Sequence, residues 1–216
     1  RHKLLSGESL LYSWDVGMGV NFAALYAYYL ASPFNWLLLL CPSSLIIEFM
    51  TYMIVFKSGL AGLSMAWYLK KHTGSQKFGA CYFGVFYALS GYMAAYSWNI
   101  MWLDCIVLLP LILHGLERLV REKKGLFYCL MLGLSILSNY YISIMICLFM
   151  VIYYVALLFL EKRPGWKDCL HSFFLFGVYS LLAGALAAAV LLPEIAALQS
   201  TAPIAVLVMI LLNGCR

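Results

Sequence analysis

The chain has 216 residues, of which 65% are hydrophobic and 11% charged, with a formal net charge of +5 and a mean hydropathy of +0.91. Globular soluble domains run at about half apolar and a quarter charged, so a soluble enzyme or binding module is excluded and a polytopic helical membrane protein is indicated. The positive balance does not argue for nucleic acid, because ten of the fourteen Lys and Arg fall in three short clusters where membrane topology would place them.

The seven cysteines are scattered, with no pair at the close spacing of a zinc or redox motif. Most lie in apolar runs, where a small polarizable side chain simply packs. The opening residues have no start methionine and no signal-peptide pattern, and the chain reads as a piece of something longer.

In chain order, 4–21 is polar by the standards of this sequence. Gly17 and Gly19, beside Asp15 and Asn21, predict a turn able to take positive φ. Their spacing does not fit a dinucleotide fingerprint. The apolar run 22–40 is long enough to span, but Ser32, Pro33 and Asn35 interrupt it. Proline disfavours helix at the residue before it, so the run predicts two short interfacial helices broken at Ser32–Pro33.

Six spans are predicted after that: 49–69, 78–96, 104–120, two sharing 125–160 with a turn around Ser138–Tyr141, and 169–192. The chain therefore divides into an outer-face loop with interfacial helices (1–48), a six-span core (49–200) and an atypical apolar tail (201–216). The fold class is an all-α transmembrane bundle.

Loops at 70–77, 118–124 and 161–167 carry the clustered cations, whereas those at 97–103, 139–143 and 193–203 carry none. The positive-inside rule puts the first set in the cytoplasm and the second outside. Ser58, Gly62 and Ala66, and likewise Ser180, Gly184 and Ala188, recur every four residues, a spacing that lets helices approach closely in lipid.

The outer stretch 96–104 is the most informative. Trp98 and Trp102 are four apart and would share a face if helical, with Asn99 and Asp104 beside them. Rings that cover an apolar sugar face, next to groups that bond hydroxyls, suit a polyhydroxylated ligand. The same residues also fit an aromatic belt with a helix cap, and outward acids fit a cation pathway.

Lys57 stands thirteen residues before Lys70, roughly 20 Å above the cytoplasmic end of its helix. Such a lysine either snorkels to headgroups or serves a lipid-linked phosphate. His114 reads as an internal hydrogen-bonding residue.

Several motifs resemble the YfhO family of bacterial membrane proteins. They are Tyr-Ser-Trp-Asp-Val-Gly-Met-Gly-Val-Asn-Phe (12–22), Ala-Leu-Tyr-Ala-Tyr-Tyr-Leu-Ala-Ser-Pro-Phe-Asn-Trp (24–36), Lys-Ser-Gly-Leu-Ala-Gly-Leu (57–63) and Tyr-Ser-Trp-Asn-Ile-Met-Trp-Leu-Asp (96–104). Leu-Ser-Asn-Tyr-Tyr-Ile-Ser (137–143) and Leu-Leu-Pro-Glu-Ile-Ala-Ala-Leu-Gln (191–199) extend the match.

The resemblance implies a GT-C-like glycosyltransferase that uses a polyprenyl-phosphate sugar and modifies a cell-envelope polymer such as lipoteichoic acid on the outer face. In that class an outer-loop carboxylate near the first span acts as base or metal-associated acid. Family members are several times longer, so a leading span and its acidic loop are expected upstream of residue 1. The segment 202–216 does not look like the polar loop that the family would place there.

On this reading Asp15 and Asp104 are the candidates for acid, base or metal contact, and Lys57 for the phosphate. Trp98, Asn99, Trp102, Asn139 and Tyr140 would hold the sugar or the polyprenyl head. The partners would be a lipid-linked sugar donor, an envelope-polymer acceptor and membrane lipid. The cofactor is open, with a divalent cation as one option. The alternative function is a non-enzymatic transporter or flippase of lipid-linked sugar.

Overall fold

The structure, a computed structural model, describes residues 12–13, 20–74, 78–160 and 165–200. Asp15, the Gly17–Gly19 turn and the 201–216 tail lie outside the described residues. Tyr12–Ser13 (β1) pairs antiparallel with Val20–Asn21 (β2), and everything else described is helical or connecting chain. The interrupted run forms helix α1 (Phe22–Tyr29) and a 3-10 segment, Pro33–Leu40. They break at Ser32–Pro33, where proline fixes φ and has no N–H to donate.

The bundle consists of α2 (Ile46–Thr73), α3 (Gly79–Ala88), α4 (Gly91–Tyr96), α5 (Ile100–Glu122), α6 (Leu126–Ser138), α7 (Tyr140–Leu160), α8 (Trp166–Leu186) and α9 (Ala188–Ser200). Among the described residues α2, α5, α7 and α8 are long and apolar enough to cross a membrane.

The other two predicted spans, 78–96 and the first of the pair expected in 125–160, are not among these four. Segment 78–96 breaks at Leu89–Ser90 into α3 and α4, because Ser and Gly at 90–91 are weak helix formers. Segment 126–138 is a single helix of 13 residues, about 20 Å long at 1.5 Å per residue. The last predicted span also breaks, at Ala187, between α8 and α9.

Helix α5 is the most buried span and packs against α2, α6, α7 and α8. Its cross-links fix direction. Asp104 meets Lys57 and Glu117 meets His72, so α5 runs parallel to α2. Cys105 meets Ser143 and Glu117 meets Tyr153, so α7 is parallel as well. One end of the bundle thus gathers Lys70, Lys71, Arg118 and Arg121, and the opposite end holds the 97–99 turn and the start of α5. This grouping is what the loop charges predict.

Small residues do part of the packing. A Cβ on Gly84 would lie 2.6 Å from the Gly62 carbonyl oxygen and 2.9 Å from the Ala66 Cβ, and the Ser58 hydroxyl donates to Ala88 O at 3.0 Å. The Ser58–Gly62–Ala66 stripe is therefore a true α2–α3 contact. The second stripe is not one: a Cβ on Gly184 would meet nothing within 4 Å, and Ala188 belongs to the next helix. There Gly133 of α6 approaches the Ala183 carbonyl oxygen instead, with 3.3 Å to an added Cβ.

Pro110 sits inside α5 and cannot donate to the carbonyl four residues back. That carbonyl belongs to Ile106, and the Tyr87 hydroxyl of α3 donates to it at 2.8 Å. A neighbouring helix thus satisfies the backbone acceptor that proline leaves open, as the hydrocarbon layer requires.

Candidate functional site

At the end of the bundle without cation clusters, α1, the 3-10 segment, the start of α2 and residues 98–102, where a turn leads into α5, enclose a cleft of about 580 Å³. Tyr28, Tyr29, Phe34, Trp98 and Trp102 give it aromatic walls. Tyr96 and Tyr141 back it, with ring centroids 6.0 and 6.3 Å from Trp102. Asn35 and Asn99 are the amides that line it.

Trp98 and Trp102 both line the cleft, but not as neighbours on one helix. The chain turns at 97–99 and α5 begins at Ile100. Trp98 is exposed and spends its indole N–H on Ala95 O at 3.1 Å. The Trp102 indole N–H and the Asn99 amide nitrogen have no hydrogen-bond partner, and Asn99 is only 4% exposed. Two unused donors at a half-buried aromatic cleft favour a ligand with acceptor oxygens, because a buried unpaired donor costs about 1–3 kcal/mol.

Below the cleft lie Lys57 and Asp104, 0% and 1% exposed. The ammonium is 2.9 and 3.0 Å from the two carboxylate oxygens and donates to Ile100 O at 3.1 Å. The ring of Phe34, a cleft residue, stands 5.6 Å from it. Lys57 therefore does not snorkel. It is held by Asp104 at protein-enclosed depth, as a membrane-embedded lysine is expected to be. The Asp104 Oδ1 has no hydrogen bond beyond this ion pair.

Asn139 is committed elsewhere. Its Oδ1 accepts from the Ile142 amide at 3.0 Å, which caps α7, and its Nδ2 donates to Tyr28 O at 3.1 Å, which braces α1. The Tyr140 hydroxyl donates to Glu194 Oε1 at 2.6 Å. His114 packs edge-on against Trp67, at 4.8 Å between centroids, and its Nδ1 has no partner. The expected internal hydrogen bond there is replaced by an aromatic contact.

Two groupings escape the sequence reading. One is the Tyr140–Glu194 contact. The other is Glu117, whose Oε1 accepts from the hydroxyls of Tyr68 at 2.7 Å and Tyr153 at 2.6 Å and faces His72 Nδ1 at 2.8 Å. This second buried carboxylate locks three parallel helices at the cation-rich end. Among the described residues no group of three His, Cys, Asp or Glu could hold a metal ion.

The sequence pattern of the family described as "Bacterial membrane protein YfhO" matches residues 1–210. Among curated proteins, one from Bacillus subtilis (strain 168) described as "Uncharacterized protein YfhO" is 24% identical over 199 residues. That match covers 85% of this chain but 23% of the relative, so the chain spans about a quarter of the relative's length. No solved structure matches the chain.

Proposed function

The chain belongs to the YfhO family of bacterial membrane proteins, and from that footing we propose that it forms the donor-binding part of a GT-C-like glycosyltransferase. The donor is a polyprenyl-phosphate sugar, and the acceptor is an envelope polymer such as lipoteichoic acid on the outer face. The observation that carries this reading is the aromatic cleft at the end opposite the cation clusters, with the Asn99 and Trp102 N–H groups unpaired. Aromatic rings suit a prenyl chain or a sugar face, and unpaired N–H groups suit phosphate or hydroxyl oxygens.

The chemistry asks for two charges. As an acceptor hydroxyl attacks the anomeric carbon, a carboxylate takes its proton and the phosphate leaves with the bonding pair. Lys57 and Asp104 supply one of each below the cleft, spent on one another until a donor phosphate competes with Asp104 for the ammonium. Asp15 remains a candidate for the same chemistry.

One observation favours the alternative, a transporter or flippase of lipid-linked sugar: no carboxylate lines the described cleft. A single experiment separates the two. Full-length protein in vesicles receives polyprenyl-phosphate-linked radiolabelled sugar together with acceptor polymer. Label on the polymer is the expected result. Label crossing the bilayer on an unconsumed donor would replace the enzyme reading with the transport one.

A further inference from the structure

Glu194 lies on α9, one residue after Pro193. It is 6% exposed. Oε1 takes the Tyr140 hydroxyl at 2.6 Å, and Oε2 has no partner. No cation among the described residues pairs with it, in contrast to Asp104. A carboxylate oxygen that carries no proton accepts hydrogen bonds, and a buried acceptor left unpaired carries the desolvation cost of that oxygen. The second oxygen is therefore a buried acceptor for which the described residues provide no donor.

Its surroundings indicate which donor. Tyr140 stands edge-on to Tyr28, with centroids 6.0 Å apart, and Tyr28 lines the cleft. Tyr28 also approaches Tyr141 at 6.4 Å, and Tyr141 stacks on Trp102 at 6.3 Å. A continuous set of rings thus links Glu194 to the cleft wall. Rings beside a lone acceptor are the complement of a sugar or polyol, which shows C–H faces to the rings and O–H groups to the carboxylate.

We infer that Glu194, which stands behind the Tyr28–Tyr140 ring pair and outside the lining of the cleft, is a ligand-binding carboxylate that accepts a hydroxyl of a polyhydroxylated ligand. Tyr140 acts as a positioning residue that fixes the other oxygen. The inference rests on the proposed function for the lipid-linked form of the ligand, but not for hydroxyl binding itself. It also reassigns Tyr140, whose hydroxyl is spent on Glu194 and not on the ligand.

The test uses full-length protein in nanodiscs and two probes, a polyprenyl-phosphate glucose and the soluble methyl glucoside. Glu194→Gln keeps the shape and an oxygen for the Tyr140 hydroxyl, so the fold is retained. Binding is read by tryptophan fluorescence and by infrared difference spectra in the carboxylate region.

The expected result is a ligand-induced carboxylate shift that is absent in Glu194→Gln. The variant should bind both sugars about tenfold or more weakly, the loss of one charged hydrogen bond, while bare polyprenyl phosphate binds as before. Tyr140→Phe should shift the same band and weaken both sugars by a smaller factor.

Unchanged sugar binding and an unchanged carboxylate band in Glu194→Gln would overturn the inference, and so would a wild-type protein that binds neither sugar. Tighter binding of a simple alkylammonium than of methyl glucoside, lost in the same variant, would overturn it in favour of a cation site. Glu194-dependent binding of methyl glucoside without binding of the polyprenyl lipid would uphold the inference and sink the lipid-linked donor reading instead.

Discussion

Lys57 and Asp104 neutralise one another across α2 and α5, with Nζ 2.9 Å from Oδ1 and both side chains sealed from solvent. Two cleft residues reach the pair, the Phe34 ring 5.6 Å from the ammonium and the Ile100 carbonyl oxygen 3.1 Å from it. The residues read separately as phosphate partner and base are one electrostatic unit.

That unit has a distinctive mutational signature. Removing one member of a buried pair leaves an uncompensated charge and costs about 3–5 kcal/mol, while replacing both with apolar groups is often neutral. Lys57→Met alone and Asp104→Leu alone should each lower thermal stability in detergent sharply. The double variant should recover most of the loss, yet it should not regain any donor turnover. Additive losses in the double variant would show that the pair does not act as a unit.

A second cycle concerns Tyr87 and Pro110. Tyr87→Phe strands the Ile106 carbonyl, so it should cost about 1–2 kcal/mol. With Pro110→Ala the restored amide can reach that carbonyl, and Tyr87→Phe should then cost markedly less. Equal costs in the two backgrounds, measured by chemical denaturation, would contradict the repair assigned to Tyr87.

Two glycines should respond in opposite ways. Gly84→Ala drives a methyl into the Gly62 carbonyl oxygen, so it should destabilise by about 1–3 kcal/mol as other overpacking changes do. Gly184→Ala meets open space and should be neutral or stabilising by up to about 1 kcal/mol from helix propensity. The readout is the thermal midpoint of each variant in the same detergent.

Sidedness can be read by labelling. Trp98 is 71% exposed and Lys124 is 70% exposed, at opposite ends of the bundle. In a cysteine-free background, Trp98→Cys should react with impermeant thiol reagent from outside, and Lys124→Cys only after permeabilisation. Ser143, an outer-loop position by sequence, is fully buried and would not report. The reverse pattern would invert the orientation.

Much of the path was legible in the sequence, because hydrophobic length and proline act locally. The break at Ser32–Pro33, the turn at Asn139 and the Ser58–Gly62–Ala66 stripe all follow from neighbours in the chain. Contacts between helices depend on rotation about each axis, which composition leaves open. One depth signal was available: Lys57 precedes Lys70 by thirteen residues and Asp104 precedes Arg118 by fourteen. On parallel helices that places both charges at the same height.

The rest had no such signal. Glu117 looks like one acid in a charged run until Tyr68, His72 and Tyr153 close on it. Glu194 follows a proline in an apolar helix, and only the fold brings Tyr140 to it. Asn139 carries the residue type of a sugar contact, but its two amide ends serve as cap and brace.

Whether the aromatic cleft holds the lipid-linked sugar is decided by locating the donor on the protein. Full-length protein is irradiated with a polyprenyl-phosphate sugar bearing a photoactivatable group on the prenyl unit beside the phosphate, and the labelled peptides are mapped. Label is expected on 28–38 and 98–102, competed by unmodified donor, and at least several-fold weaker in Asn99→Leu, which removes an unpaired N–H donor from the cleft. Saturable label confined to the outward faces of α7 and α8, unchanged by Asn99→Leu, would contradict it.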